Sequence, residues 1–138
     1  MHARKILVSD LEPAFSNLYK LRLGKEGYDV ICASSEEETM LRIRKEEPDL
    51  VLLDVRLARK SGFDLLGQIL KEDEDLPVVL TSGHELFEEG FLIWLVDAWV
   101  MKSEDLTELK EAIERLLPAR IPGAYHEERK HAGLQGER

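Results

Sequence analysis

The sequence predicts an α/β domain with five parallel strands and helices on both faces of the sheet. Three observations carry that expectation. Short apolar runs alternate five times with amphipathic segments, the pattern of repeated βα units. The run 50–53 is continuously apolar, as expected of a strand covered on both faces. The chain has 138 residues, 43% of them hydrophobic, which is enough for one core without disulfides or a structural metal.

Each element has its own local signal. Ile6, Leu7 and Val8 read as a buried first strand. Residues 13–26 read as a helix, with Pro13 suited to its first turn and Phe15, Leu18, Tyr19 and Leu23 on one face. Gly27 stops it, and residues 28–32 form the second strand. Ser35 and Glu38 have capping-box spacing and open a helix carrying Met40, Leu41 and Ile43, with Pro48 beyond its end. The third strand is the run 50–53. A third helix follows Gly62, with Phe63, Leu66, Ile69 and Leu70 inward. Pro77 leads into the fourth strand at Val78, Val79 and Leu80. A short helix is expected within 85–95, and a fifth strand over 98–101. Ser103 is placed to cap a last helix, with Glu104 and Asp105 in its first turn and Leu106, Leu109, Ile113, Leu116 and Leu117 on its apolar face. Residues 1–118 are therefore read as one domain. Beyond Pro118 the pattern gives way to a polar stretch, 119–138, read as a tail or the start of a linker.

Charge and cysteine count exclude several functions. The formal net charge is −9, so the chain lacks the cationic field that drives binding to a phosphate backbone, and no direct nucleic-acid contact is expected. The single Cys32 rules out an internal disulfide and reads as a small buried hydrophobe. The most apolar stretch, 91–101, is interrupted by Asp97 and falls far short of the roughly 20 residues a membrane span requires. With no secretory signal core, the expected location is the cytoplasm. His84-Glu85 lacks the second histidine of a zinc-protease helix, and His126 and His131 sit in a polar stretch. No Gly-rich phosphate loop and no nucleophile elbow around Ser82 is present.

In an open parallel sheet, ligands bind at the carboxyl ends of the strands. Those ends carry Ser9, Asp10 and Glu12, then Asp54, then Thr81 and Ser82, then Lys102. Carboxylates there suit Mg²⁺, and a hydroxyl with an ammonium suits a phosphoryl group. Residues 5–13 (KILVSDLEP), 51–57 (VLLDVRL), 62–66 (GFDLL), 77–84 (PVVLTSGH) and 97–102 (DAWVMK) resemble, in order and register, the receiver domain of bacterial two-component response regulators. The resemblance covers residues 4–118. It implies a flavodoxin-like doubly wound sheet of strand order 2-1-3-4-5. It implies Asp54 as acceptor of a phosphoryl group from a sensor histidine kinase or phosphotransfer protein. Mg²⁺ would be held by Asp10, Asp54 and the Arg56 carbonyl; Glu12, to which the resemblance assigns no direct ligation, is a further candidate from its place on the rim. Lys102 would pair with Asp54, Ser82 would bond the phosphoryl group, and Trp99 would be the switch aromatic. Such a domain is a phospho-acceptor rather than an enzyme. It would signal to a downstream protein and could pair with a second copy through the face of 85–95, strand five and the last helix.

The sequence departs from the family pattern in ways that bear on the chemistry. Leu11 stands where a second acid normally ligates the metal, so weakened Mg²⁺ binding is expected. Ala58 and Ser103 replace prolines, and the region between Ser82 and Lys102 is about two residues short. Arg56, two residues past Asp54, is expected to pair with Asp10 or Asp54 and replace part of the missing cation charge. Leu11 also raises an alternative, a pseudo-receiver that binds partners without phosphorylation. A flavodoxin-like enzyme or nucleotide binder is the more distant alternative, opposed by the missing phosphate loop. Phe87, Phe91, Leu92, Ile93, Trp94 and Leu95 read either as extra core or as a docking patch. No DNA-binding output domain is visible in the chain.

Overall fold

The computed structural model of the chain describes residues 3–59, 64–83 and 95–117. The strands are β1 (Lys5–Ser9), β2 (Asp29–Ala33), β3 (Leu50–Asp54), β4 (Val78–Ser82) and β5 (Ala98–Met101). The helices are α1 (Pro13–Lys25), α2 (Glu36–Glu46), α3 (Val55–Arg59), α4 (Asp64–Glu72) and α5 (Thr107–Leu116). All strand pairs are parallel, in the order β2-β1-β3-β4-β5, which is the flavodoxin-like arrangement.

Strand alternation divides the core into two layers. Leu7, Val51, Leu53, Val78 and Leu80 face one layer, with Met40 and Ile43 of α2 and Leu65, Leu66 and Ile69 of α4. Ile6, Val8, Leu50, Leu52, Val79 and Val100 face the other, with Tyr19 and Leu23 of α1 and Leu109, Ala112 and Ile113 of α5. β3 and β4 are buried at every position, as strands packed on both faces must be. On α2, Met40 and Ile43 face inward, while Leu41 is exposed. It falls just past the edge of an apolar face that one helical turn can bury.

The helix ends show how local chemistry sets the boundaries. Pro13 occupies the first turn of α1, where its missing N–H costs nothing. The Glu12 carbonyl accepts the N–H groups of Phe15 and Ser16, both at 3.1 Å. Gly27, at φ 99°, turns the chain out of α1 into a conformation that side chains disfavour. Ser35 Oγ accepts the Glu38 N–H at 3.0 Å, while Glu38 reaches back to the Ser34 N–H at 2.8 Å rather than to Ser35 itself. The capping box is therefore present, shifted by one residue on its return arm.

Two features differ from the sequence expectation. Ser103 does not cap the last helix. α5 begins at Thr107, and Ser103 Oγ instead accepts the Asp105 N–H at 3.0 Å. Asp105 then accepts from the Thr107 N–H at 3.0 Å and from the Thr107 hydroxyl at 2.7 Å. Two successive side-chain turns spend residues that a direct cap would have placed in the helix. α3, which begins directly after Asp54, was not expected. Ala58 permits it: a proline there would lack the amide that a helix interior requires. The expected helix within 85–95, apart from Leu95, and the stretch 119–138 lie outside the described residues, as do Phe63 and His84.

Candidate functional site

The strand order reverses between β1 and β3, and this switch point opens a crevice at their carboxyl ends. Register brings the polar strand ends level. Ser9 pairs with Leu53, Asp54 with Thr81, and Ser82 with Met101. Asp10, Asp54 and Lys102 follow from this as neighbours, although 92 residues separate the first from the last.

Asp54 is 1% exposed and held from several sides. The Arg56 backbone N–H donates to Oδ1 at 3.1 Å, and the Leu11 backbone N–H donates to Oδ2 at 3.3 Å. Lys102 Nζ lies 3.4 Å from Oδ2. Leu11 thus contributes its amide, which any residue but proline could supply, while its side chain packs on the core layer that includes Leu53 and Val55. Asp10 is equally buried. Its Oδ1 accepts the Glu12 N–H at 2.8 Å and Lys102 Nζ at 2.9 Å, while Oδ2 is buried with no hydrogen-bond partner among the described residues. Burial outweighs these hydrogen bonds, and with the nearby Asp54 charge it pushes the Asp10 carboxyl up to about 6.

Lys102 is the central cation. Its side chain is 2% exposed and its ammonium lies over the Phe15 ring, 5.0 Å from the centroid. Burial alone would lower its pKa, but hydrogen bonds to Glu12 at 2.6 Å and to Asp10 overcome that and raise it. Lys102 therefore stays charged although buried. Its strongest partners are Glu12 and Asp10, with Asp54 next. Arg56 pairs with Glu12 Oε1 at 2.9 Å and with Asp54 Oδ2 at 3.7 Å. The expected pairing with Asp54 is present. Its pairing with Asp10 is replaced by Glu12, whose longer side chain reaches the pocket mouth where the guanidinium lies.

Ser82 is buried at the end of β4, and its carbonyl accepts the Lys102 N–H at 2.6 Å. Trp99 lies on β5 opposite Leu80 and is 40% exposed, on the strand face opposite buried Val100. The structure thus gathers Asp10, Glu12, Asp54, Arg56 and Lys102 into one network and leaves Trp99 exposed on β5. The role of Glu12 as a shared partner of both cations had no signal beyond its place in the strand-one rim.

The donor set fits a hard divalent cation. Asp10, Glu12 and Asp54 each present a carboxylate oxygen within 4.8 Å of the others, and the buried Asp10 Oδ2 has a free lone pair. Among the described residues three carboxylates face two cations, so the network carries room for added positive charge.

A family model described as the response regulator receiver domain matches residues 6–114. The chain belongs to the response regulator receiver domain family. It is 30% identical over 136 residues to the alkaline phosphatase synthesis transcriptional regulatory protein PhoP of Bacillus subtilis, covering 97% of this chain and 57% of that regulator's length. Among solved structures, it matches the response regulator TrrA of Thermotoga maritima in complex with Mg²⁺ and beryllofluoride. The TM-score is 0.75 at 33% identity, covering 83% of this chain and 99% of that one. TrrA in complex with the histidine kinase ThkA gives a TM-score of 0.73 at 33% identity, covering 83% of this chain and 98% of that one. A pseudo-receiver is not favoured by these likenesses. No helix among the described residues is long and apolar enough to cross a membrane.

Proposed function

We propose that this chain is a phosphorylation-switched receiver that takes a phosphoryl group on Asp54 from a histidine kinase or phosphotransfer protein. The observation that carries the reading is the convergence at the switch point of a buried Asp54, a buried Lys102 3.4 Å from it and a buried Asp10. One Asp54 oxygen attacks the phosphorus of a phosphohistidine; the O–P bond forms as the P–N bond breaks and the imidazole nitrogen departs. Transfer of this kind is limited by charge crowding and alignment rather than by a proton. The Leu11 and Arg56 amides orient the carboxylate, and Lys102 is placed to follow the charge onto the phosphoryl oxygens. Ser82 is the proposed hydroxyl partner of the phosphoryl group, and Trp99 the proposed reporter of its movement.

Asp10, Asp54, Glu12 and the Arg56 carbonyl would hold Mg²⁺, which would supply the charge neutralisation that two cations leave incomplete. Leu11 withholds one ligand, so that binding is weak. In this reading the chain is a signalling acceptor, not an enzyme acting on a separate substrate. It works in the cytoplasm and passes its state to a downstream protein. The face of β5 and α5, with exposed Trp99 and Met101, is the proposed surface for that partner or for a second copy. Calorimetric titration with beryllofluoride and Mg²⁺ tests the proposal. Saturable binding is expected, and Asp54→Asn should abolish it; equal binding by Asp54→Asn would refute it.

A further inference from the structure

The two cations of the network are not equivalent. Lys102 is sealed under Phe15, with its side chain 2% exposed, and cannot leave without uncovering buried charge. The Arg56 side chain is 51% exposed and lies at the mouth. Its stem starts on the second residue of α3, where its own amide is tied to Asp54 Oδ1. The guanidinium can therefore swing out while its backbone stays in place. In the closed arrangement, a single oxygen, Glu12 Oε1, accepts from both Lys102 at 2.6 Å and Arg56 at 2.9 Å. That oxygen cannot serve a metal fully while it serves both. The same guanidinium lies 3.7 Å from Asp54 Oδ2, so it spans two of the three carboxylates.

We propose that Arg56 is an intramolecular competitor of the metal, a latch across Glu12 and Asp54 that must open before a divalent cation can take all three carboxylates. The proposal rests on reading Asp10, Glu12 and Asp54 as the metal ligands. The planar guanidinium presents several N–H donors in one fixed fork, so a single arginine can hold Glu12 and Asp54 together. It gives the metal-free pocket a cation that relieves repulsion among three acids, and it makes metal entry an exchange of one cation for another.

Titration calorimetry with Mg²⁺ alone, on the full 138-residue chain, tests this. Arg56→Ala is expected to bind Mg²⁺ about fivefold more tightly, the release of one partly exposed ion pair. Arg56→Lys, which keeps the charge but loses the fork, should fall between. In EDTA, Arg56→Ala should melt below the unsubstituted chain, and saturating Mg²⁺ should remove the difference. Equal or weaker Mg²⁺ binding by Arg56→Ala overturns the latch. Beryllofluoride binding that persists in that variant and is lost in Asp54→Asn would then leave the receiver reading standing alone. Mg²⁺ binding by neither chain overturns the latch together with the metal site.

Discussion

Asp10 shows what a single buried residue reveals about the site. Its carboxyl is pushed from an ordinary 3.8 up to about 6, chiefly by burial. The folded state thus favours the protonated form. In metal-free protein the resulting stabilisation is complete below about pH 3.8 and is lost as pH rises through about 6. Denaturant melts in EDTA should show this decline, and Asp10→Asn should flatten it; an unchanged profile in Asp10→Asn would assign the titration elsewhere. Protons and metal compete for the same oxygens, so Mg²⁺ affinity should fall below that pH. At Leu11, an aspartate would restore a ligand, and Leu11→Asp is expected to tighten Mg²⁺ binding on the order of tenfold. Part of that gain would be offset in stability, because the leucine packs on the core. Asp10, Asp54 and Lys102 were legible because each stands at or next to the end of an apolar strand run. The Arg56–Glu12 pair was not, because it joins residues 44 apart through side-chain reach that no spacing rule encodes.

Helix boundaries were legible where a motif had no competitor and misread where it had one. Ser35 has only one helix to serve, and its cap forms as the sequence indicates. Ser103, Asp105 and Thr107 offer overlapping turns, and the chain uses them in series before α5 starts. Asp105 is held below the usual carboxylate range by its hydrogen bonds to Thr107, which fits that turn. Ser35→Ala should cost about 1 kcal/mol in denaturant melts, whereas Ser103→Ala, which removes no helix cap, should stay within about 0.5 kcal/mol. A larger loss at Ser103 would contradict the observed start of α5. α3 was missed because its signal is the absence of a proline at Ala58, a permissive feature rather than a directive one.

At the level of the whole molecule, the five strands were readable from hydropathy alone, because strands buried on both faces leave continuous apolar runs such as 50–53. Strand order was not, since any right-handed crossover satisfies the same pattern. It came from the family resemblance, and the sheet has that order. The order matters for function because it places the ends of β1 and β3 side by side and so creates the charged crevice. In the proposed function, this crevice makes Asp54 a phosphoryl acceptor. The most direct measurement is intact-mass analysis after exposure to a small-molecule phosphodonor with Mg²⁺, followed by mapping of the modified residue. One phosphoryl group on Asp54, absent in Asp54→Asn, is the expected result. A phosphoryl group that persists in Asp54→Asn, or a chain that stays unmodified at saturating Mg²⁺, would contradict it.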